Sequence, residues 1–157
     1  IIIQPRHPYR NKKIISLLKK QNLSFIQRSK NEFPNKNTKV FLFDTFGETG
    51  LLMAVSNIII LGGTLVPIGG HNPIEAAQFG KCIIVGPYIS KIDEIVNDFL
   101  KCNAMQKLQK NNQLSQVIEK LIDDHKYNKK LSLNAKKLTL KYLNTASLIY
   151  KKIESIK

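Results

Sequence analysis

The sequence predicts an α/β domain, a parallel sheet flanked by helices, on three observations. Strand-like and helix-like segments alternate from one end of the chain to the other. The strand-like segments are short continuous apolar runs rich in β-branched residues, such as Asn57-Ile58-Ile59-Ile60-Leu61 and Cys82-Ile83-Ile84-Val85, the pattern of strands covered on both faces. Three of the strands end in polar turns that lead toward helix starts, the connection a βα unit requires.

Taken in order, residues 1–4 form the first strand. Residues 8–21 form a helix with Ile14, Ile15, Leu17 and Leu18 as its buried stripe and its lysines toward water. Residues 24–28 are a short strand, 31–39 a polar connector, and 40–43 a strand that stops at Asp44-Thr45-Phe46-Gly47-Glu48. A helix over 49–56 leads into the strand 57–61. Asn72 is placed as the N-cap of a helix over 73–79, with Pro73 at the first helical position, where its missing N–H costs little, and Glu75 at the third, completing a capping-box pattern. Gly80 closes that helix, and 81–85 is the next strand. Over 92–100, Ile92, Ile95, Val96, Phe99 and Leu100 share one helical face. A short strand over 104–108 and a helix over 112–124 follow. A long basic amphipathic helix over about 127–153 ends the chain, docking through Leu131, Leu138 and Leu148.

The 157 residues suit a single domain able to bury a core without staples. Cys82 and Cys102 stand at no metal-like spacing and point to a reducing compartment, with Cys82 acting as a buried small hydrophobe. The chain opens directly on Ile1-Ile2-Ile3, as a piece of a longer protein would, and no apolar stretch approaches the roughly 20 residues that span a bilayer. The formal charge of +14 comes almost entirely from lysine, arginine standing only at positions 6, 10 and 28. Such a balance fits an anionic membrane surface, an anionic substrate, or simply solvated helix faces. Nucleic acid is disfavoured, because aromatics interleaved with arginine are missing.

Chemistry concentrates in the three turns Pro5-Arg6-His7-Pro8, Asp44 to Glu48, and Gly69-Gly70-His71-Asn72-Pro73-Ile74-Glu75. In one parallel sheet their strand ends would share an edge and bring the groups together. Glycine lets a ligand approach the backbone without meeting a Cβ. Arginine suits bidentate contact with phosphate or carboxylate, and a carboxylate such as Glu48 or Glu75 suits paired ribose hydroxyls. The set describes a site for a phosphorylated nucleoside carrying a sugar. Each residue also has a plainer role open to it: Arg6 as partner of a surface acid, His7 as a cap, Asp44 as the end of its strand, Glu75 as a cap only. Neither the dinucleotide Gly-x-Gly-x-x-Gly pattern nor the P-loop is present, so NAD and ATP are not the natural ligands.

In order and spacing these turns resemble the carboxyl-terminal domain of 3-deoxy-D-manno-octulosonic acid (Kdo) transferases, GT-B-type glycosyltransferases whose motifs read close to Pro-Arg-His-Pro, Asp-Thr-x-Gly-Glu, and Gly-Gly-Ser-Leu-Val followed by Gly-Gly-His-Asn-Pro-x-Glu. Thr64 stands where that family has serine, keeping the hydroxyl, and Phe46 where methionine is common; beyond about Asn111 only the pattern is shared. The resemblance implies a Rossmann-like parallel sheet flanked by helices and a single nucleotide-sugar domain over 1–157. It also implies transfer of Kdo from CMP-Kdo to a lipid A precursor, lipid IVA, at the cytoplasmic face of the bacterial inner membrane, in lipopolysaccharide synthesis and without a further cofactor or metal. It places Pro5, Arg6 and His7 on the nucleotide side, Phe46, Gly47 and Glu48 on cytidine and ribose, Asn72, Pro73, Ile74 and Glu75 around CMP, and Gly69, Gly70 and His71 near Kdo. The family's general base lies in an amino-terminal domain outside this chain, so no residue here takes that role, and the chain by itself would bind donor without catalysing. The alternatives are a GT-B transferase using a UDP-sugar, a non-catalytic basic module for anionic lipid or nucleic acid, and a degenerate fragment.

Overall fold

Every apolar run marked as a strand by the alternation forms one in a computed structural model that describes residues 1–143 and 145–156. The chain divides into two compact units, Ile1–Ala54 and Val55–Lys157.

The first unit holds β1 (Ile2–Ile3), α1 (Asn11–Lys20), β2 (Phe25–Gln27), β3 (Val40–Leu42) and most of α2 (Thr49–Val55). Its sheet is parallel in the order β1-β3-β2. Ile3 and Gln27 both pair with Leu42, so all three strands leave the sheet at one edge. Pro8 opens a 3₁₀ turn over Pro8–Arg10, and the α-helix starts only at Asn11, three residues later than its apolar pattern suggests. Leu18 is buried and Ile14 and Ile15 half-buried, but Leu17 is 53% exposed, because the inward stripe runs through 11, 14, 15 and 18.

Asp44 ties this unit together. Its buried carboxylate, just beyond β3, accepts hydrogen bonds from Asn11 Nδ2 (2.8 Å), Gln27 Nε2 (3.2 Å), and the Ser29 N–H (2.9 Å) and hydroxyl (2.8 Å). One residue thereby links β3 to the start of α1 and the end of β2. Burial alone would raise its pKa, but the donors of Ser29 and Gln27 outweigh that and hold it below its usual value.

The second unit holds β4 (Ile58–Leu61), α3 (Ile74–Gln78), β5 (Cys82–Val85), α4 (Asp93–Lys101), β6 (Gln106–Lys107), α5 (Leu114–Asp123), α6 (His125–Leu143) and α7 (Thr145–Glu154). Its sheet is parallel in the order β4-β5-β6. All four residues of the central β5 are buried, as a strand covered on both faces requires, whereas Ile60 of β4 is 37% exposed. Cys82 and Ile84 pack with Leu108, Leu121 and Leu131, backed by Val117, Ile118 and Tyr127. Each fully buried leucine contributes about 1.5–3 kcal/mol. Burial pushes the Cys82 thiol up to about 11, so it behaves as a hydrophobe.

The long terminal helix is described as two, α6 and α7, with Asn144 between them outside the described residues. Leu131 is buried and Leu138 half-buried, while the Leu148 side chain lies outside the described residues. Polar contacts also fix how α6 is turned: Asn134 donates to the carbonyls of Cys102 (3.1 Å) and Asn103 (3.0 Å), and Lys141 and Tyr142 both donate to Asp98 within α4 (2.7 and 3.0 Å). No helix among the described residues is long and apolar enough to cross a membrane.

The described strands pair in two ladders where one sheet was expected, β1-β3-β2 and β4-β5-β6, the first two turns following strands of the first and the third turn a strand of the second. A ladder needs successive backbone groups in register, and the two residues of β1 supply them to β3.

Asp44→Asn removes a buried charge from its donors and is expected to destabilise by about 2–3 kcal/mol at neutral pH. Because the folded pKa lies below the ordinary 3.8, that stabilisation is complete above the unfolded value and is lost as pH falls through the folded one. Denaturant titrations from neutral to acid pH should therefore show the gap between wild type and variant closing on the acid side.

Candidate functional site

Two of the three turns stand together at the common edge of the first sheet. Pro5 is half-buried, Arg6 and His7 are exposed, and the His7 ring stacks on Tyr9 with centroids 5.3 Å apart. From the end of β3 the chain passes the structural Asp44 and presents Phe46, 73% exposed, then the exposed Gly47 and the half-buried Glu48. An aromatic face held in water at a strand end is a surface for a flat ligand. The Glu48 carboxylate is aimed by two donors, the Thr45 hydroxyl at 2.6 Å and Arg28 Nη2 at 3.1 Å. The hydrogen bond from Thr45, helped by Arg28 and opposed by partial burial, holds Glu48 below its usual range, so it stands ionised as an acceptor.

Arg28 was not among the residues the turns singled out. It lies directly after β2, with its guanidinium 5.9 Å from the centroid of the Phe43 ring and a bond to Asn31 Oδ1 at 3.3 Å. The signal was available, since in a parallel sheet the residue after β2 leaves at the same edge as the residues after β3.

The third turn belongs to the second sheet. After β4 the chain makes a 3₁₀ turn over Gly62–Thr64, in which the fully buried Thr64 hydroxyl donates to the Leu61 carbonyl and accepts the Gly86 N–H at 2.6 Å. Thr64 thus staples the ends of β4 and β5. A Cβ on Gly86 would stand 2.3 Å from the Thr64 carbonyl oxygen, so only glycine fits beside the staple. Gly69 and Gly70 are buried. Gly70 has φ +90°, and a Cβ there would meet Ile92 Cδ1 at 2.7 Å and the Thr64 methyl at 2.9 Å. The His71 imidazole is half-buried against Gly63, where an added Cβ would come 3.0 Å from Cδ2.

Asn72 Oδ1 accepts the Ile74 N–H at 2.9 Å and turns the chain into α3, but the N-cap is the buried Pro73, one residue later than expected, and α3 is counted from Ile74. The capping box is corrected: α3 has no reciprocal bond from Glu75. Ile74 is half-buried, and Glu75 points into solvent from the first turn with no hydrogen-bond or ion-pair partner among the described residues. Asn72 turns the chain, which leaves the carboxylate of Glu75 unspent.

Parallel strands whose carboxyl ends carry glycine turns, an exposed aromatic and an aimed carboxylate define, with the structural match below, a nucleotide-binding α/β domain of the GT-B glycosyltransferase type. Similar proteins narrow the class. The crystal structure of the C-terminal CMP-Kdo binding domain of WaaA from Acinetobacter baumannii matches with a TM-score of 0.84 and 30% identity, over 88% of this chain and 72% of that one. The 3-deoxy-D-manno-octulosonic acid transferases of Haemophilus influenzae and Rickettsia prowazekii are 36% and 39% identical over 123 residues, which is 78% of this chain. The chain belongs to the 3-deoxy-D-manno-octulosonic acid transferase family. It spans 28% and 26% of the length of those two relatives. No protein-family model matches it.

The Thr64 staple separates two substitutions. Thr64→Val leaves the buried Gly86 N–H without an acceptor and should cost about 1–3 kcal/mol. Thr64→Ser keeps both hydrogen bonds and loses one methyl, about 1 kcal/mol or less. Chemical denaturation that ranks serine below valine in stability would remove the hydroxyl from its structural role.

Proposed function

We propose that this domain binds CMP-Kdo and acts as the donor-holding part of a Kdo transferase, which passes Kdo to a lipid A precursor, lipid IVA, at the cytoplasmic face of the bacterial inner membrane in lipopolysaccharide synthesis. The observation that carries the reading is the state of the Gly69 to Glu75 loop: its glycines are buried, its turn is closed by Asn72, and Glu75 is left exposed and unpartnered. A carboxylate so placed suits ribose or sugar hydroxyls, and the exposed Phe46 suits the pyrimidine face.

In this reading Glu48 and Glu75 accept from hydroxyls, Arg6 and His7 face the phosphate, and Gly69, Gly70 and His71 lie toward Kdo. The donor carries its own leaving group, a glycosidic phosphate ester. The domain's chemical contribution is then to hold CMP and stabilise the charge that builds on its phosphate as the bond to Kdo breaks. The general base belongs to the part of the transferase this chain does not contain. Likeness at 30% identity to a CMP-Kdo binding domain favours cytidine over uridine as the base.

Titration calorimetry tests this on the full chain. CMP should bind and UDP should fail to displace it; Glu75→Ala should weaken CMP by about tenfold or more at unchanged melting temperature, since a hydrogen bond to a charged group is worth about 1.5–3 kcal/mol. Phe46→Ala should cost a similar factor through lost stacking. Absence of CMP binding by folded wild type, or equal binding of UDP, would sink the proposal.

A further inference from the structure

Helix α6 (His125–Leu143) contains 19 residues and neither aspartate nor glutamate. One of its faces is fully used: Leu131, Ala135 and Thr139 are buried, and Asn134 and Tyr142 are hydrogen-bonded to the segments beneath. The opposite face is built differently. At 100° per residue, Leu133 and Leu140 lie on one line, and Lys126, Lys129, Lys130, Lys136 and Lys137 all fall within about 60° of it. All seven are exposed, Leu133 at 57% and Leu140 at 60%. None of the five lysines forms an ion pair among the described residues. An open groove of ≈ 600 Å³ runs beside the two leucines, lined also by Lys136, Lys137, Gln78 and Thr139.

We infer that this stripe docks the domain on an anionic phospholipid bilayer, with α6 lying in the plane of the surface. An apolar line flanked on both sides by lysines is the arrangement an interfacial helix needs: the leucines and lysine stems enter the boundary of the acyl chains while the ammonium heads stay among the phosphates. The stem of Lys136 already lies along the backbone at Gly80, its Cδ 3.3 Å from where a Cβ there would sit. Charge complementarity is one-sided, because the helix offers five unpaired cations and no acid that a bilayer phosphate would repel. Duplex nucleic acid would use the lysines but gain nothing from exposed leucines, and no arginine or aromatic stands on this face. The stripe shares no residue with the nucleotide loops, so it stands or falls apart from the donor reading.

The full chain has no tryptophan, so Leu140→Trp supplies a sole reporter. Vesicles of phosphatidylcholine mixed with phosphatidylglycerol should blue-shift its emission and sediment the wild type, and vesicles of phosphatidylcholine alone should do neither. Lys129→Gln with Lys137→Gln should weaken partitioning by about tenfold or more, at roughly a factor of five per lysine, while Lys12→Gln with Lys13→Gln on α1, the same change in charge, should alter it by about twofold at most. Leu133→Ser with Leu140→Ser should also release the protein, with circular dichroism unchanged. No partitioning into the mixed vesicles overturns the inference, as does an equal loss from the α1 pair. Equally tight, leucine-independent binding of duplex DNA would reassign the stripe to polyanions at large.

Discussion

Parallel strands that stop at a common edge leave backbone and side-chain polar groups with nowhere to go, and each unit of this chain solves the problem with one buried polar side chain. In the first it is the Asp44 carboxylate, which gathers donors from Asn11, Gln27 and Ser29. In the second it is the Thr64 hydroxyl, held between the Leu61 carbonyl and the Gly86 N–H. Everything presented to solvent at those edges is presented from a backbone these two residues have fixed. A buried group left without its partners would cost as much as several surface contacts supply.

That division of labour sorts the polar residues of the turns. Asp44 and Thr64 look inward and are consumed by the fold, while Glu48 and Glu75, further along the same turns, look outward. The two outward carboxylates are not equivalent. Glu48 is already aimed by Thr45 and Arg28, whereas Glu75 is held only by its place on the first turn of α3. Glu48 is therefore preorganised as an acceptor, whereas Glu75 must order on contact with any partner, losing side-chain freedom as it does.

Most of the architecture was legible because its signals are local. Continuous apolar runs gave β3, β4 and β5, and the helical spacing of Ile92, Val96 and Phe99 gave α4 and its buried face. The motif loop was legible in residue type, and Asn72 does turn the chain toward α3, although the helix starts one residue later than its residue types suggest. What stayed hidden depends on contacts distant in sequence. Whether Glu75 caps or stays free turns on a hydrogen bond, not on composition, and Arg28 draws its role from a glutamate twenty residues on. The division of the strands between two ladders is likewise a matter of pairing, which apolar runs do not encode. Leu17 was misplaced because an edge position of a helical stripe looks the same in sequence as a central one.

The burial of β5 bears on how the chain is made. All four of its residues are buried, and part of their cover comes from Leu121, on α5, and Leu131, on α6. A ribosome delivers Cys82 to Val85 long before it delivers those leucines, so during synthesis the central strand waits uncovered, and this unit closes only after α6 has emerged. Until then the nascent strand is open to pairing with other chains, so the interval between the synthesis of β5 and that of α6 is the one in which this unit is exposed to aggregation.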